Sequence, residues 1–156
     1  MLFRSWAVAD DPVFLSLKHQ FHKNNPNDQI FEKLHKEFDL SAPAFNAGVM
    51  AFSTNIIKED SFDTLCKLFQ TYHKISTYAD QPINNLYFSK SWKKLNYSYN
   101  LFIPMWDQKY GIRAEKIDAI ILHFCGHQKP WLPESYFYKE WKIGRASCRE
   151  RVLRLV

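Results

Sequence analysis

Apolar positions along this chain change their spacing several times, and each change marks an element. Trp6-Ala7-Val8-Ala9 is a short apolar run closed by Asp10-Asp11-Pro12. It predicts a buried strand and then a turn into a helix, with Asp11 as cap and Pro12 at the first position. Phe14, Leu17 and Phe21, with Lys18 among them, keep helical spacing up to the turn-formers Asn24-Asn25-Pro26-Asn27-Asp28. Ile30, Leu34 and Phe38 then mark one side of a second short helix. Phe45-Asn46-Ala47-Gly48-Val49-Met50-Ala51-Phe52 is too continuously apolar for a solvent-washed strand and predicts a central strand covered on both faces. Phe62, Leu65, Leu68, Phe69 and Tyr72 give a longer amphipathic helix. After it, Asp80-Gln81-Pro82 restarts a helix carrying Ile83, Leu86 and Tyr87, with Asp80 where an N-cap belongs. Trp92 to Tyr99 alternates as a strand does, and Ala119-Ile120-Ile121-Leu122-His123-Phe124 is a second run suited to a buried strand.

Strands and helices therefore alternate. That order predicts an α/β layered domain with a mixed, mostly parallel sheet flanked by helices, whose ligands gather beyond the carboxyl ends of the strands. The chain has 156 residues, 46% hydrophobic and 17% aromatic, enough for one domain with its own core. No run approaches the eighteen or so apolar residues of a membrane span, and the opening Met1-Leu2-Phe3-Arg4-Ser5-Trp6 lacks the features of a secretory signal. Cys66, Cys125 and Cys148 contain no C-x-x-C pair, so neither a disulfide framework nor a four-cysteine zinc site is indicated. A reducing, cytoplasmic setting is expected, and peripheral association with the inner membrane surface is compatible with it.

Charge changes the picture mainly by where it lies. Of the net charge of +5, a net +3 comes from Arg145, Arg149, Arg151 and Arg154 against Glu150. The stretch from Ile143 to Val152 reads like the translation of a sequencing adapter, so residues 143–156 are expected to be a non-native tail and 1–142 the domain. Without the tail the body is only mildly basic. With no stacking motif or recognition helix either, a nucleic-acid binder is not expected.

The densest chemistry is His123-Phe124-Cys125-Gly126-His127-Gln128-Lys129-Pro130-Trp131. A neutral imidazole at a strand end suits a divalent metal alongside carboxylates, given a partner for its other ring nitrogen. Gly126 lets the backbone approach a phosphate, and Lys129 is a compact ammonium charge. Each residue has a plainer use too. His123 can be a hydrogen-bonded structural histidine, Asn46 can satisfy backbone groups, and Asp80 can simply cap a helix. Zinc held by His123, Cys125 and His127 is disfavoured, because neighbouring strand residues point to opposite faces and no fourth ligand is evident. His19 and His22, three apart without carboxylates, read as a solvated helix face.

His-x-x-Gly-x-x-Lys-Pro-Trp after an apolar strand resembles the closing signature of family-eight glycosyltransferases, the group that includes glycogenin and lipooligosaccharide galactosyltransferases. Two further blocks agree in order. Phe45-Asn46-Ala47-Gly48-Val49 resembles the family's Phe-Asn-(Ala/Ser)-Gly-Val segment, and Asp80-Gln81 with Asn85 resembles its Asp-Gln-x-x-x-Asn segment. With the strand at Ala7-Val8-Ala9-Asp10, the resemblance runs from Trp6 to Trp131.

The resemblance implies part of a GT-A type nucleotide-diphospho-sugar transferase fold. It implies a metal-assisted hexosyltransferase of glycan biosynthesis that moves a hexosyl group from a nucleotide-diphosphate sugar, typically a UDP-sugar, to a glycan or saccharide acceptor. Asp80 and Gln81 take the catalytic places and Asn46, Ala47 and Asn85 the substrate-binding places. Gly126 and Lys129 meet the diphosphate, and His123 is a ligand of Mn²⁺ or a similar cation. The family's Asp-x-Asp motif belongs before the strand at Trp6, outside this chain. The N-terminal nucleotide-binding part is thus expected to be missing, and the chain alone to be aggregation-prone and inactive. The alternative is a non-catalytic carbohydrate- or nucleotide-binding module.

Overall fold

In the computed structural model, helix α1 (Gln29–Glu37) begins where a carboxylate meets its free N–H groups: Asp28 accepts from the backbone N–H of Ile30 at 3.1 Å and of Phe31 at 3.2 Å. The structure describes residues 6–10 (backbone alone), 15–23, 28–78, 80–103, 118–124, 129–135 and 137–143. These fall into two units, Met1–Tyr97 and Ser98–Val156, each taken by itself. The expected cap at Asp11, the helix start at Pro12, residues Cys125 to Gln128 and the tail beyond Ile143 lie outside the described residues.

The first unit holds a three-stranded sheet in the order β2 (Phe45–Ala51), β1 (Trp6–Asp10), β3 (Trp92–Lys94). β1 runs antiparallel to β2 and parallel to β3, with Val8 opposite Met50 and Lys94 respectively. Helix α2 (Ser61–Tyr72) and helix α3 (Gln81–Phe88) stand where the spacing predicts them. Leu17, Phe21, Leu34, Leu40, Tyr72, Ile75, Ile83 and Leu86 form the main core. Each such side chain contributes about 1.5–3 kcal/mol when fully buried. Tyr72 also ties α2 to α1, its hydroxyl donating to Glu37 Oε2 at 2.6 Å.

Four expectations are corrected. β2 is an edge strand of the described sheet, not a central one, and its burial fades from Phe45 and Asn46 to an exposed Ala51 and Phe52. Its apolar run reflects a covered beginning rather than two covered faces. The segment after Phe14 forms only a short 3-10 turn, Leu17–Gln20. It is pinned instead by long-range bonds: Leu17 N–H to Ala42 O at 3.0 Å, Lys18 N–H to Leu40 O at 2.9 Å and Thr77 N–H to Gln20 O at 2.9 Å. The expected strand from Trp92 to Tyr99 stops at Lys94, with a 3-10 turn at Tyr97–Tyr99. In the second unit the predicted strand from Ala119 narrows to β5 (Leu122–Phe124), while Ile120 and Ile121 are exposed. Its parallel partner β4 (Leu101–Ile103), fully buried, went unforeseen because the aromatic alternation before it hid its start. Leu101 and Ile103 centre the core of that unit, with Leu122, Phe124 and Phe137 against them.

Candidate functional site

Helix α3 meets edge strand β2 through two side-chain amides. Asn85 is fully buried, and its Oδ1 accepts the Phe45 N–H at 2.8 Å while its Nδ2 donates to the Phe45 carbonyl at 2.8 Å. One helical turn earlier, Gln81 Oε1 accepts the Ala47 N–H at 3.1 Å and the Asn46 Nδ2 at 3.2 Å. The spacing explains the fit. Residues four apart on a helix rise about 6 Å, and residues two apart on a strand are separated by about 6.6 Å. Side chains of α3 thus stand in for a neighbouring strand, completing the backbone bonds that an edge strand otherwise leaves open. The backbone N–H groups also fix which end of each amide points where, since an N–H requires an oxygen opposite it.

This places four of the expected residues, Asn46, Ala47, Gln81 and Asn85, in one hydrogen-bonded group. Asn46 is buried, and its Oδ1 accepts the Gly48 N–H at 2.9 Å. Asn85 Nδ2 also donates to the Gln81 carbonyl at 3.0 Å. Its observed bonds make it the latch between helix and strand. Asp80 stands at the N-cap position, but its side chain makes no capping bond. The exposed carboxylate accepts a long bond from Asn84 Nδ2 at 3.5 Å and lines a cleft of about 320 Å³ with Phe62, Leu65, Phe69 and Ile83. The capping use that its position allows is thus not the one seen.

In the second unit, His123 lies on β5 and its Nδ1 is 3.0 Å from Asn100 Oδ1. Asn100 is buried, and the Phe102 ring meets the imidazole edge-on with centroids 5.1 Å apart. Lys129 is half-buried, and its Nζ donates to the Phe124 carbonyl at 3.1 Å, closing the span between β5 and Pro130. Gly126, the third expected member of this group, lies outside the described residues.

The order of these residues along the chain is decisive when set beside known proteins. Residues 6–135 match the family described as glycosyl transferase family 8. The chain belongs to that family. Among curated relatives, glycosyltransferase GlyF of Streptococcus pneumoniae serotype 4 (strain ATCC BAA-334 / TIGR4) is 29% identical over 91 residues, covering 56% of this chain and 23% of that protein. Galactinol synthase 5 of Arabidopsis thaliana is 31% identical over 101 residues, covering 59% of this chain and 27% of that protein. The chain spans about a quarter of the length of these relatives. A crystal structure of the galactosyltransferase LgtC with donor and acceptor sugar analogs superposes with a TM-score of 0.55 at 18% identity, over 84% of this chain and 46% of that one. The fold of this family-8 chain is accordingly part of a GT-A fold, as the resemblance implied, and of the α/β class that the alternating pattern predicted.

Two residues of the site escaped sequence reasoning. Asn100 precedes a strand that was not foreseen, and Gln20 sits buried amid apolar helical spacing. Gln20 lies off the expected stripe of Phe14, Leu17, Lys18 and Phe21, so only its burial marks it. Of the residues expected to meet a divalent cation, His123 is among those described. Among the described residues no group of three His, Cys, Asp or Glu stands together to complete a metal site. Nor is any described helix long and apolar enough to cross a membrane.

Proposed function

We propose that the natural polypeptide carrying this chain transfers a hexosyl group from a nucleotide-diphosphate sugar, a UDP-sugar in the first instance, to a glycan acceptor. The observation that carries this reading is the single hydrogen-bonded group formed by Asn46, Ala47, Gln81 and Asn85, drawn from two separate family blocks. It supports a rigid floor for a donor sugar, with the Asp80 carboxylate exposed at its helix end to take a sugar hydroxyl.

In the proposed reaction, the bond between the anomeric carbon and the diphosphate oxygen breaks and its electron pair leaves with the nucleotide. The acceptor hydroxyl bonds to that carbon from the same face and passes its proton to the departing diphosphate oxygen, and no protein nucleophile is assigned. Negative charge grows on the leaving diphosphate, where fixed positive donors are worth most. Lys129, held beside Phe124, is proposed to supply one ammonium charge there and Gly126 a close backbone approach. His123, oriented by Asn100, is proposed as one ligand of an Mn²⁺-type cation, whose contribution when bound is Lewis-acid stabilisation of that same leaving group. The proposed setting is the cytoplasm, with the enzyme meeting glycan acceptors at the inner membrane surface.

Nucleotide release and sugar transfer by the natural polypeptide, measured with UDP-hexoses and Mn²⁺, test the reading. Asp80→Asn and Asn46→Ala are expected to lower turnover by about 10²-fold, the loss typical of a misplaced substrate. Turnover equal to the parent in both contradicts it, and binding without turnover in the parent favours the non-catalytic module.

A further inference from the structure

Gln20 is polar at a place where the fold gains nothing from polarity. It is fully buried, and among the described residues its side-chain carbonyl has no hydrogen-bond partner. Its Nε2 reaches the Phe45 carbonyl at 3.5 Å, a long bond to an acceptor that Asn85 Nδ2 already holds at 2.8 Å. A buried polar group without a partner costs roughly 1–3 kcal/mol. An apolar side chain of the same shape, next to Leu17 and Phe21, would serve the core better.

The position of Gln20 is nonetheless tightly set. Its turn is bonded on one side to Leu40 and Ala42 and on the other to Ile75 and Thr77, through Leu17, Lys18, His22 and its own carbonyl. The first pair lies on the lead into β2, and the second on the lead into α3. The Phe45 carbonyl belongs to the peptide that joins Phe45 to Asn46. That peptide is planar, so fixing its carbonyl also fixes the Asn46 N–H and the direction in which Asn46 starts.

We propose that Gln20 and Asn85 are positioning residues for donor binding. Together they hold the Phe45 carbonyl, and through that one peptide they set Asn46 and Ala47 against Gln81. The inference rests on the donor-site reading above. It accounts for a buried amide that the core alone would not select, since a cost in stability is retained where geometry at a site depends on it.

Gln20→Met in the natural polypeptide, assayed with UDP-glucose and UDP-galactose, separates positioning from packing. The expected result is a thermal midpoint equal to or above that of the parent, a several-fold higher donor KM, and faster hydrogen exchange at the Ala47 amide. Asn85→Asp keeps the oxygen facing the Phe45 N–H and loses both N–H donors. It is expected to raise donor KM in the same direction. A parent-like donor KM in Gln20→Met, with Asn46→Ala impaired, overturns the positioning role alone. A parent-like donor KM in Asn46→Ala as well overturns the donor-site reading and takes this inference with it.

Discussion

Gln81 accepts the backbone N–H of Ala47 at 3.1 Å with the same carbonyl that holds Asn46 Nδ2 at 3.2 Å, so one helix side chain fixes two consecutive strand residues. Among substitutions at Gln81, Gln81→Glu keeps an acceptor oxygen and Gln81→Leu does not. With about 1 kcal/mol per net hydrogen bond, Gln81→Leu is expected to lose roughly 1–3 kcal/mol of unfolding free energy while Gln81→Glu stays near the parent. Urea unfolding measures this, and equal losses in the two variants contradict the clamp.

In the second unit, Asn100 Oδ1 stands 3.0 Å from His123 Nδ1 and orients the ring. Partners of this kind typically change metal affinity by about 10–100-fold. Asn100→Leu is expected to raise the Mn²⁺ concentration needed for half-maximal activity by an amount in that range, with the Lys129 contact to Phe124 untouched. An unchanged Mn²⁺ requirement argues against His123 as a ligand.

The Tyr72 phenol is held above its ordinary range, first by burial and then by its bond to Glu37. A folded-state value above the unfolded one means that the folded chain keeps the proton longer. The resulting stability is fully present below about pH 10, the unfolded value, and is lost as pH climbs toward the folded one. Stability measured from pH 9 upward should therefore decline more steeply in the parent than in Tyr72→Phe. Parallel declines would show that the phenol does not contribute.

Asp28 begins α1 with two bonds to backbone N–H groups. Asp28→Ala is expected to cost about 1 kcal/mol, as lost N-caps do, and Asp28→Asn much less. Thermal unfolding of the two variants checks this.

Helices were the most legible part of the sequence. The periodic apolar positions of α2 and the restart at Asp80-Gln81-Pro82 each correspond to a helix, with Leu65, Leu68 and Tyr72 of α2 and Ile83 and Leu86 of α3 at the core, whereas Phe62 and Phe69 of the same α2 stripe are exposed beside the cleft at Asp80. Strands were harder. The run from Phe45 looked like a buried central strand, yet it is an edge strand, since its missing neighbour is replaced by amides four apart on a helix, which no period of two reveals. Leu101–Ile103 is too short to show a period at all. Of the candidate site, Asn46, Ala47, Gln81 and Asn85 were readable as motif residues. That Asn85 faces the strand backbone was not, because a side chain's partner forty residues away leaves no local trace. Gln20 and Asn100 belong to no motif, and only burial exposes their part.

Calorimetric titration tests the proposal that His123 and Lys129 meet a nucleoside diphosphate. UDP is titrated with Mn²⁺ into the natural polypeptide that carries this chain, and into its His123→Ala and Lys129→Ala variants. Loss of most of the UDP affinity in both variants, with unfolding midpoints close to the parent's, is the predicted result. UDP binding in both variants at the parent's affinity would contradict it.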